Sequence, residues 1–214
     1  MKNNLIVFDL DGTLLNTIED LNAATNYALD NNGYNVVTID ETRKFIGNGI
    51  KKLIERSLKG NLEKFDIVFA DFKNYYFENI DVYTKPYDGI NELLFKLKNK
   101  GYKLAVLSNK EHNALNKLCD SHFEGIFSMV IGDRPDIDKK PSTMGLSYIC
   151  EHLNEDIKNV LYIGDSEVDV KTVLNSECNG IFVSYGFRDK EDLLNAGAKI
   201  ICDSVYELME KLEV

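Results

Sequence analysis

The sequence predicts an α/β protein: a parallel sheet with helices on both faces, interrupted after its first strand by an all-helical insertion. Three observations carry this. From Asn91 onward, short apolar runs alternate with helical patterns, the rhythm of parallel strands joined by crossover helices. Several of those runs stop abruptly at polar residues, and the carboxyl ends of such strands are where open α/β sheets bind ligands. Residues 16–84 break the alternation and read as helices alone.

The first element is Leu5–Phe8, which has the length and composition of a buried strand. It runs into Asp9-Leu10-Asp11-Gly12-Thr13. Residues two apart on a strand share a side, so Asp9 and Asp11 lean toward one point. Gly12 permits a sharp turn, and Thr13 sets a hydroxyl beside it. Like charges this close need an offset, which a divalent metal, a shared proton or a lysine could supply.

The helical stretch follows. Thr38-Ile39-Asp40-Glu41 has the spacing of a capping box. Phe65, Phe69, Phe72 and Tyr76 make an apolar stripe at helical period, which reads as packing. The connections to the rest of the chain fall near Leu15–Thr17 and Tyr83–Pro86, and two crossing segments make a natural hinge. The expected division is a cap of residues 16–84 over a core built from 1–15 and 85–214.

Beyond the cap, strands are expected at Lys103–Leu107, Ser128–Ile131, Val160–Ile163, Gly180–Val183 and Lys199–Ile201. Helices are expected at Asn91–Lys98, Glu111–Cys119, Thr143–Leu153 and Ser204–Leu212. Ser108 and Asn109 end one strand with a hydroxyl and an amide, and a helix starting just after would add N–H groups suited to an anion. Lys140, before Pro141, belongs to an extended loop. Asp165 repeats the strand-end placement of Asp9. A helix from about Ser166 brings Asp169 to the same side one turn later. Hard divalent cations prefer such carboxylate oxygens.

Bulk properties narrow the partners. The 214 residues suit one core with a smaller insertion, and the net charge of −10 argues against nucleic acid and anionic membranes. No apolar run approaches a membrane span, and no secretory leader is visible. Four cysteines with no metal-ligand spacing read as reduced and mostly buried. The expected compartment is cytoplasmic. His112, His122 and His152 show no metal or triad spacing.

Taken in order, Asp9-Leu10-Asp11-Gly12-Thr13, Ser108-Asn109, Lys140-Pro141, and Gly164-Asp165 with Asp169 resemble the four motifs of the haloacid dehalogenase superfamily of phosphohydrolases. The resemblance is to its subgroup with a helical cap after the first strand. Within it the chain resembles phosphoglycolate phosphatases. Phe45-Ile46-Gly47-Asn48-Gly49 is similar to their cap specificity loop, and Lys85-Pro86-Tyr87-Asp88-Gly89 to the loop re-entering their core. Gly186-Phe187, Asp192-Leu193-Leu194 and Ala196-Gly197-Ala198 resemble their C-terminal segment. Two motifs depart from the pattern: Asn16-Thr17 stands where Asp-Ser is frequent, and Thr143 where many members have a second proline.

The resemblance implies a Rossmann-like core and Mg²⁺-dependent hydrolysis of a small-molecule phosphate ester through an aspartyl-phosphate. Asp9 is then the nucleophile and Asp11 the acid and base. Mg²⁺ is held by Asp9, the backbone carbonyl of Asp11, and Asp165. Thr13, Ser108, Asn109 and Lys140 bind the phosphoryl group, and Asp169 orients Lys140 or metal-bound water. Gly47, Asn48 and Gly49 bring backbone amides toward the leaving group when the cap closes. The lead substrate is of the phosphoglycolate type, and the expected assembly is a monomer or weak homodimer. The rivals are a phosphomutase resembling β-phosphoglucomutase, a pyrophosphatase, a nucleotide phosphatase and a non-enzymatic binding protein. A phosphonate-cleaving enzyme would need Lys51 or Lys52 beside the substrate.

Overall fold

The computed structural model describes residues 4–214. Six strands form one parallel sheet: β1 (Leu5–Phe8), β4 (Lys103–Glu111), β5 (Met129–Asp133), β6 (Val160–Gly164), β7 (Asn179–Val183) and β8 (Ile201–Cys202). Their spatial order is β5-β4-β1-β6-β7-β8. The chain builds outward from β1 on one side, then returns to build outward on the other. The strands flanking β1 therefore run to opposite halves, which makes their carboxyl ends the switch point of the sheet.

Register places the polar residues together. Leu5 lies level with Lys103 and Val160, and Phe8 with Val106 and Ile163. Asp9, Ser108 and Asp165 thus emerge within one or two residues of the same level. All four side chains of β1 are fully buried, as a central parallel strand covered on both faces requires. One face carries Ile6, Phe8, Val106 and Ile163 against helices α5 (Ile90–Asn99), α6 (His112–Phe123) and α10 (Val205–Lys211). The other carries Leu5, Val7, Ala105 and Tyr162 against α7 (Met144–Leu153), α8 (Glu167–Ser176) and α9 (Lys190–Ala196).

The insertion is helical as expected: α1 (Ile18–Asn31), α2 (Ile39–Phe45), α3 (Ile50–Ser57) and α4 (Phe65–Glu78). Thr38 and Glu41 close the capping box at the start of α2. A two-stranded antiparallel ribbon, β2 (Leu15–Asn16) and β3 (Lys85–Pro86), joins the insertion to the sheet. Asp20 of α1 fastens the returning chain, accepting hydrogen bonds from the N–H groups of Tyr83 and Thr84 and from the Thr84 hydroxyl.

Element boundaries moved most at α6, which reaches Phe123 rather than Cys119, and at the end of β4. That strand continues past Leu107 to Glu111, with its register against β5 shifting between those residues. Ser108 and Asn109 are therefore extended chain within the strand rather than a helix start. Glu111 caps α6 instead, its side chain accepting from the Ala114 N–H at 2.8 Å. Among the described residues no helix is long and apolar enough to cross a membrane.

Candidate active site

At the carboxyl ends of β1, β4 and β6 lies a cavity of about 50 Å³. Its floor is Asp9, Asp11, Ser108, Asn109, Lys110, Asp165 and Ser166. The helical insertion closes it from above with Leu21, Ile46, Gly47, Gly49 and Ile50, and the loop after β7 adds Phe187 and Arg188. By the space one water needs, this is room for roughly four waters.

Asp9 is held at one oxygen: Oδ1 accepts from the Leu10 N–H at 2.7 Å and lies 3.0 Å from Lys140 Nζ. Lys140 also meets Asp169 Oδ1 at 2.7 Å and the Tyr162 hydroxyl at 2.9 Å. Asp169 is saturated. Its Oδ1 also accepts from Tyr162, and its Oδ2 accepts from the Ser166 hydroxyl and N–H in a capping box that starts α8. Asp165 Oδ2 accepts from the Phe187 N–H at 2.7 Å, and its Oδ1 accepts from the Thr13 hydroxyl at 3.1 Å.

Two glycines let these groups approach. Gly12 has φ +85°, and a Cβ there would sit 2.1 Å from Asp165 Oδ2. A Cβ on Gly186 would lie 2.2 Å from the Gly12 carbonyl oxygen. Any side chain at either position pushes the Asp165 carboxylate out of place.

Charge is unbalanced here. Oxygens of Asp9, Asp165 and Asp169 lie within 4.8 Å of one another, with Lys140 as the cation between Asp9 and Asp169. Burial, reinforced by Asp169 and Asp11 and opposed by Lys140, pushes the Asp9 carboxyl up to about 6. Burial, with Asp169 and Asp9 adding to it, drives Asp165 well above the carboxylate range. Burial works against the charge on Lys140, yet Asp169 and Asp9 leave its pKa raised. A surplus of buried carboxylate oxygens is the donor set a hard divalent cation fits.

Asp11 faces a second cation. Lys110 Nζ lies 2.9 Å from its Oδ1 and 3.3 Å from its Oδ2, and the Thr17 hydroxyl donates to Oδ1 at 2.7 Å. Lys110 is itself buried and donates to the Tyr76 hydroxyl at 2.6 Å. Burial opposes its charge, but Asp11 and Tyr76 leave its pKa above the usual lysine value.

Residues 6–183 match the profile described as haloacid dehalogenase-like hydrolase. The chain belongs to that family. A phosphoglycolate phosphatase from Aquifex aeolicus is 37% identical over 169 residues, 78% of each chain. Another from Aliivibrio fischeri is 28% identical over 98% of this chain and 96% of its own. The crystal structure of a candidate phosphoglycolate phosphatase from Lactobacillus delbrueckii superposes with TM-score 0.95 at 33% identity, covering 99% of both. The protein is a phosphatase of this family.

Most of the residues singled out in the sequence converge on the phosphatase's cavity, but three side chains are engaged differently than expected. The Thr13 hydroxyl is directed at Asp165 rather than into the cavity. The Asn109 amide is spent on backbone: Nδ2 donates to the carbonyls of Lys140 and Gly47, and Oδ1 accepts from the Lys140 N–H. The Asn48 side chain turns to Arg56 within the cap, while Gly47 and Gly49 line the cavity. In each case a nearer polar partner captures the side chain. Lys52 pairs with Glu55 at 2.6 Å, and neither it nor Lys51 lines the cavity.

Sequence reasoning missed Lys110, Tyr76 and Arg188. Lys110 had a signal, a lysine two residues beyond Ser108. Tyr76 falls within the apolar stripe of α4. Its ring does stack on Phe72 with centroids 5.3 Å apart, but its hydroxyl leaves the stripe for Lys110.

Proposed function

We propose that the protein hydrolyses a small phosphorylated acid of the phosphoglycolate type through an aspartyl-phosphate. The observation that carries this is Asp9 at the floor of a small cavity beneath the helical insertion, its carboxylate fixed by Lys140, with Asp11 beside it. An oxygen of Asp9 attacks phosphorus, and the bond to the leaving oxygen breaks. Asp11 gives that oxygen a proton, then takes one from the water that attacks the phosphorylated Asp9. The phosphorus–Asp9 bond breaks and phosphate leaves.

Ser108 holds phosphoryl oxygens, and Lys140 supplies fixed positive charge. Asn109 serves the same end through backbone, by seating Lys140. Asp169 keeps the Lys140 ammonium in place, and Thr13 buttresses Asp165. Asp9, Asp165 and the Asp11 carbonyl are the groups that would hold Mg²⁺. When bound, the ion supplies charge that offsets repulsion between Asp9 and the phosphoryl group. Residues 16–84 act as a cap on the β2–β3 hinge, and closure excludes water from the floor.

The relatives' names support the substrate class, as do the cavity's small size and the Gly47 and Gly49 backbone on its wall. The test is phosphate release from phosphoglycolate, pyrophosphate, a nucleoside monophosphate and several sugar phosphates, with and without Mg²⁺. Release should be strongest for the two- or three-carbon acid and absent in Asp9→Asn. Equal release from Asp9→Asn would overturn the mechanism, and preference for a nucleotide or sugar phosphate would overturn the substrate class.

A further inference from the structure

Arg188 holds both sides of the cleft at once. On the core side its Nε donates to Glu167 Oε2 at 2.8 Å. On the cap side Nη1 donates to the Arg43 carbonyl and Nη2 to the Ile46 carbonyl, each at 2.7 Å. Asn109 takes the next carbonyl, that of Gly47, at 3.2 Å. Three carbonyls at the end of α2 are thus held from the core, while Phe45 between them is held by Arg56 inside the cap. These carbonyls lead directly into Gly47–Gly49, the cap segment that lines the cavity.

The same short loop reaches the carboxylates. Phe187 donates its N–H to Asp165, and Gly186 packs on Gly12 and Asp165 with no space for a side chain. Residues 186–188 therefore span from the proposed cation-holding carboxylate to the cap loop in three residues. Here Nε, Nη1 and Nη2 of one planar fork each take a different acceptor, a spread along the guanidinium edge that the single nitrogen of an ammonium does not reproduce.

We infer that Arg188 is a positioning residue for the phosphatase reaction: it fixes the Gly47–Gly49 loop over the substrate. Through Gly186 and Phe187 it ties that placement to occupancy at Asp165. The bonds to Arg43 and Ile46 are charge-assisted and reversible, because opening the cap would return both carbonyls and the guanidinium to water. Arg188 is then a latch whose strength sets how firmly the leaving group is gripped, without touching the reacting atoms.

This rests on the phosphatase reading, and the test separates the two. Arg188→Gln and Arg188→Lys would be measured for KM and kcat on the best substrate. Amide hydrogen exchange of residues 43–49 would be followed with and without Mg²⁺. Arg188→Gln should raise KM about tenfold with kcat nearly unchanged, the size expected for losing a charge-assisted pair. Exchange at 43–49 should quicken, and Arg188→Lys should fall between. In the wild type, Mg²⁺ should slow exchange at 43–49; in Arg188→Gln it should not. An unchanged KM, or faster exchange spread evenly over the chain with a lower Tm, would overturn the positioning role. A Mg²⁺ effect on 43–49 that survives in Arg188→Gln would overturn the link to Asp165. If wild-type protein turned over no substrate, the exchange data would still decide for or against the latch, while the phosphatase reading alone failed.

Discussion

The floor of the cavity and its cap-side wall are built from opposite materials. The floor rests on buried charge: Asp9 and Asp165 line it, Lys140 and Asp169 lie behind them, and each is pinned by the others or by backbone. The wall is apolar side chain and glycine backbone, and its polar bonds to the core run mainly through carbonyls of the cap. A floor of this kind fixes where charge sits before the substrate arrives, which is where electrostatic catalysis gains most. A wall of backbone and hydrocarbon fixes shape and can be moved as a unit. Changes to the floor should therefore act on kcat and on stability together, and changes to the wall on KM.

The largest test of that contrast is Lys140→Met. The variant keeps the length of the stem but leaves Asp9, Asp165 and Asp169 without the cation between them. The expected loss in kcat is about 10²–10³. Stability should fall by about 3–5 kcal/mol, since removing one partner strands buried charge. Chemical denaturation and steady-state kinetics on one preparation would check both. A rise in KM with kcat and stability intact would place Lys140 in the wall's class and break the contrast.

A second test uses protons and metal. The Asp9 carboxyl is raised by burial from 3.8 to about 6, and burial also drives Asp165 well above the carboxylate range. For an acid raised in the fold, the contribution to stability is full below its unfolded pKa and is lost as pH rises through the folded one. Metal-free protein should thus lose the Asp9 contribution to stability between about pH 4 and pH 6, with Asp165 adding to the loss as pH rises. Added Mg²⁺ should restore it by pairing with the ionised carboxylates. The Mg²⁺-induced rise in Tm should be several degrees at pH 7.5 and close to nothing at pH 5. Equal rises at both pH values would show that the ion does not bind at these carboxylates.

Much of the floor was legible in the sequence because strand ends announce themselves. An apolar run that stops at Asp9, or at Gly164-Asp165, needs no tertiary knowledge to be noticed. The sheet's register then brings the ends together without further instruction. The wall was less legible, because its working groups are backbone carbonyls and side chains whose partners are remote. Arg188 meets Ile46 across 142 residues, and Lys110 meets Tyr76 across 34. The length of β4 was misjudged for a related reason: Ser108 and Asn109 look like a helix start, but Glu111 takes the capping position and the strand runs on. The Thr13 hydroxyl and Asn109 amide carried the right chemistry for phosphate, yet a carboxylate and a carbonyl closer by engage them.

The smallest effect is the one that probes the contrast where it is weakest. Tyr76 belongs to the cap by chain position, but its hydroxyl serves the floor by receiving the Lys110 ammonium that holds Asp11. Tyr76→Phe removes one oxygen and keeps the ring on Phe72, so packing should survive. Lys110 would then lose one of its polar partners and hold Asp11 less tightly. The expected cost is about threefold to tenfold in kcat, with KM unchanged, the range of a single hydrogen bond to a charged group acting at one remove. In a Lys110→Met background the same substitution should cost nothing more, because the pair acts as a unit. Full additivity of the two losses would mean that Tyr76 reaches Asp11 by some other route. A change confined to KM would return Tyr76 to the wall with the rest of the cap. The predicted pattern, a kcat effect that vanishes without Lys110, would show that one cap helix takes part in placing the acid as well as in shaping the cavity.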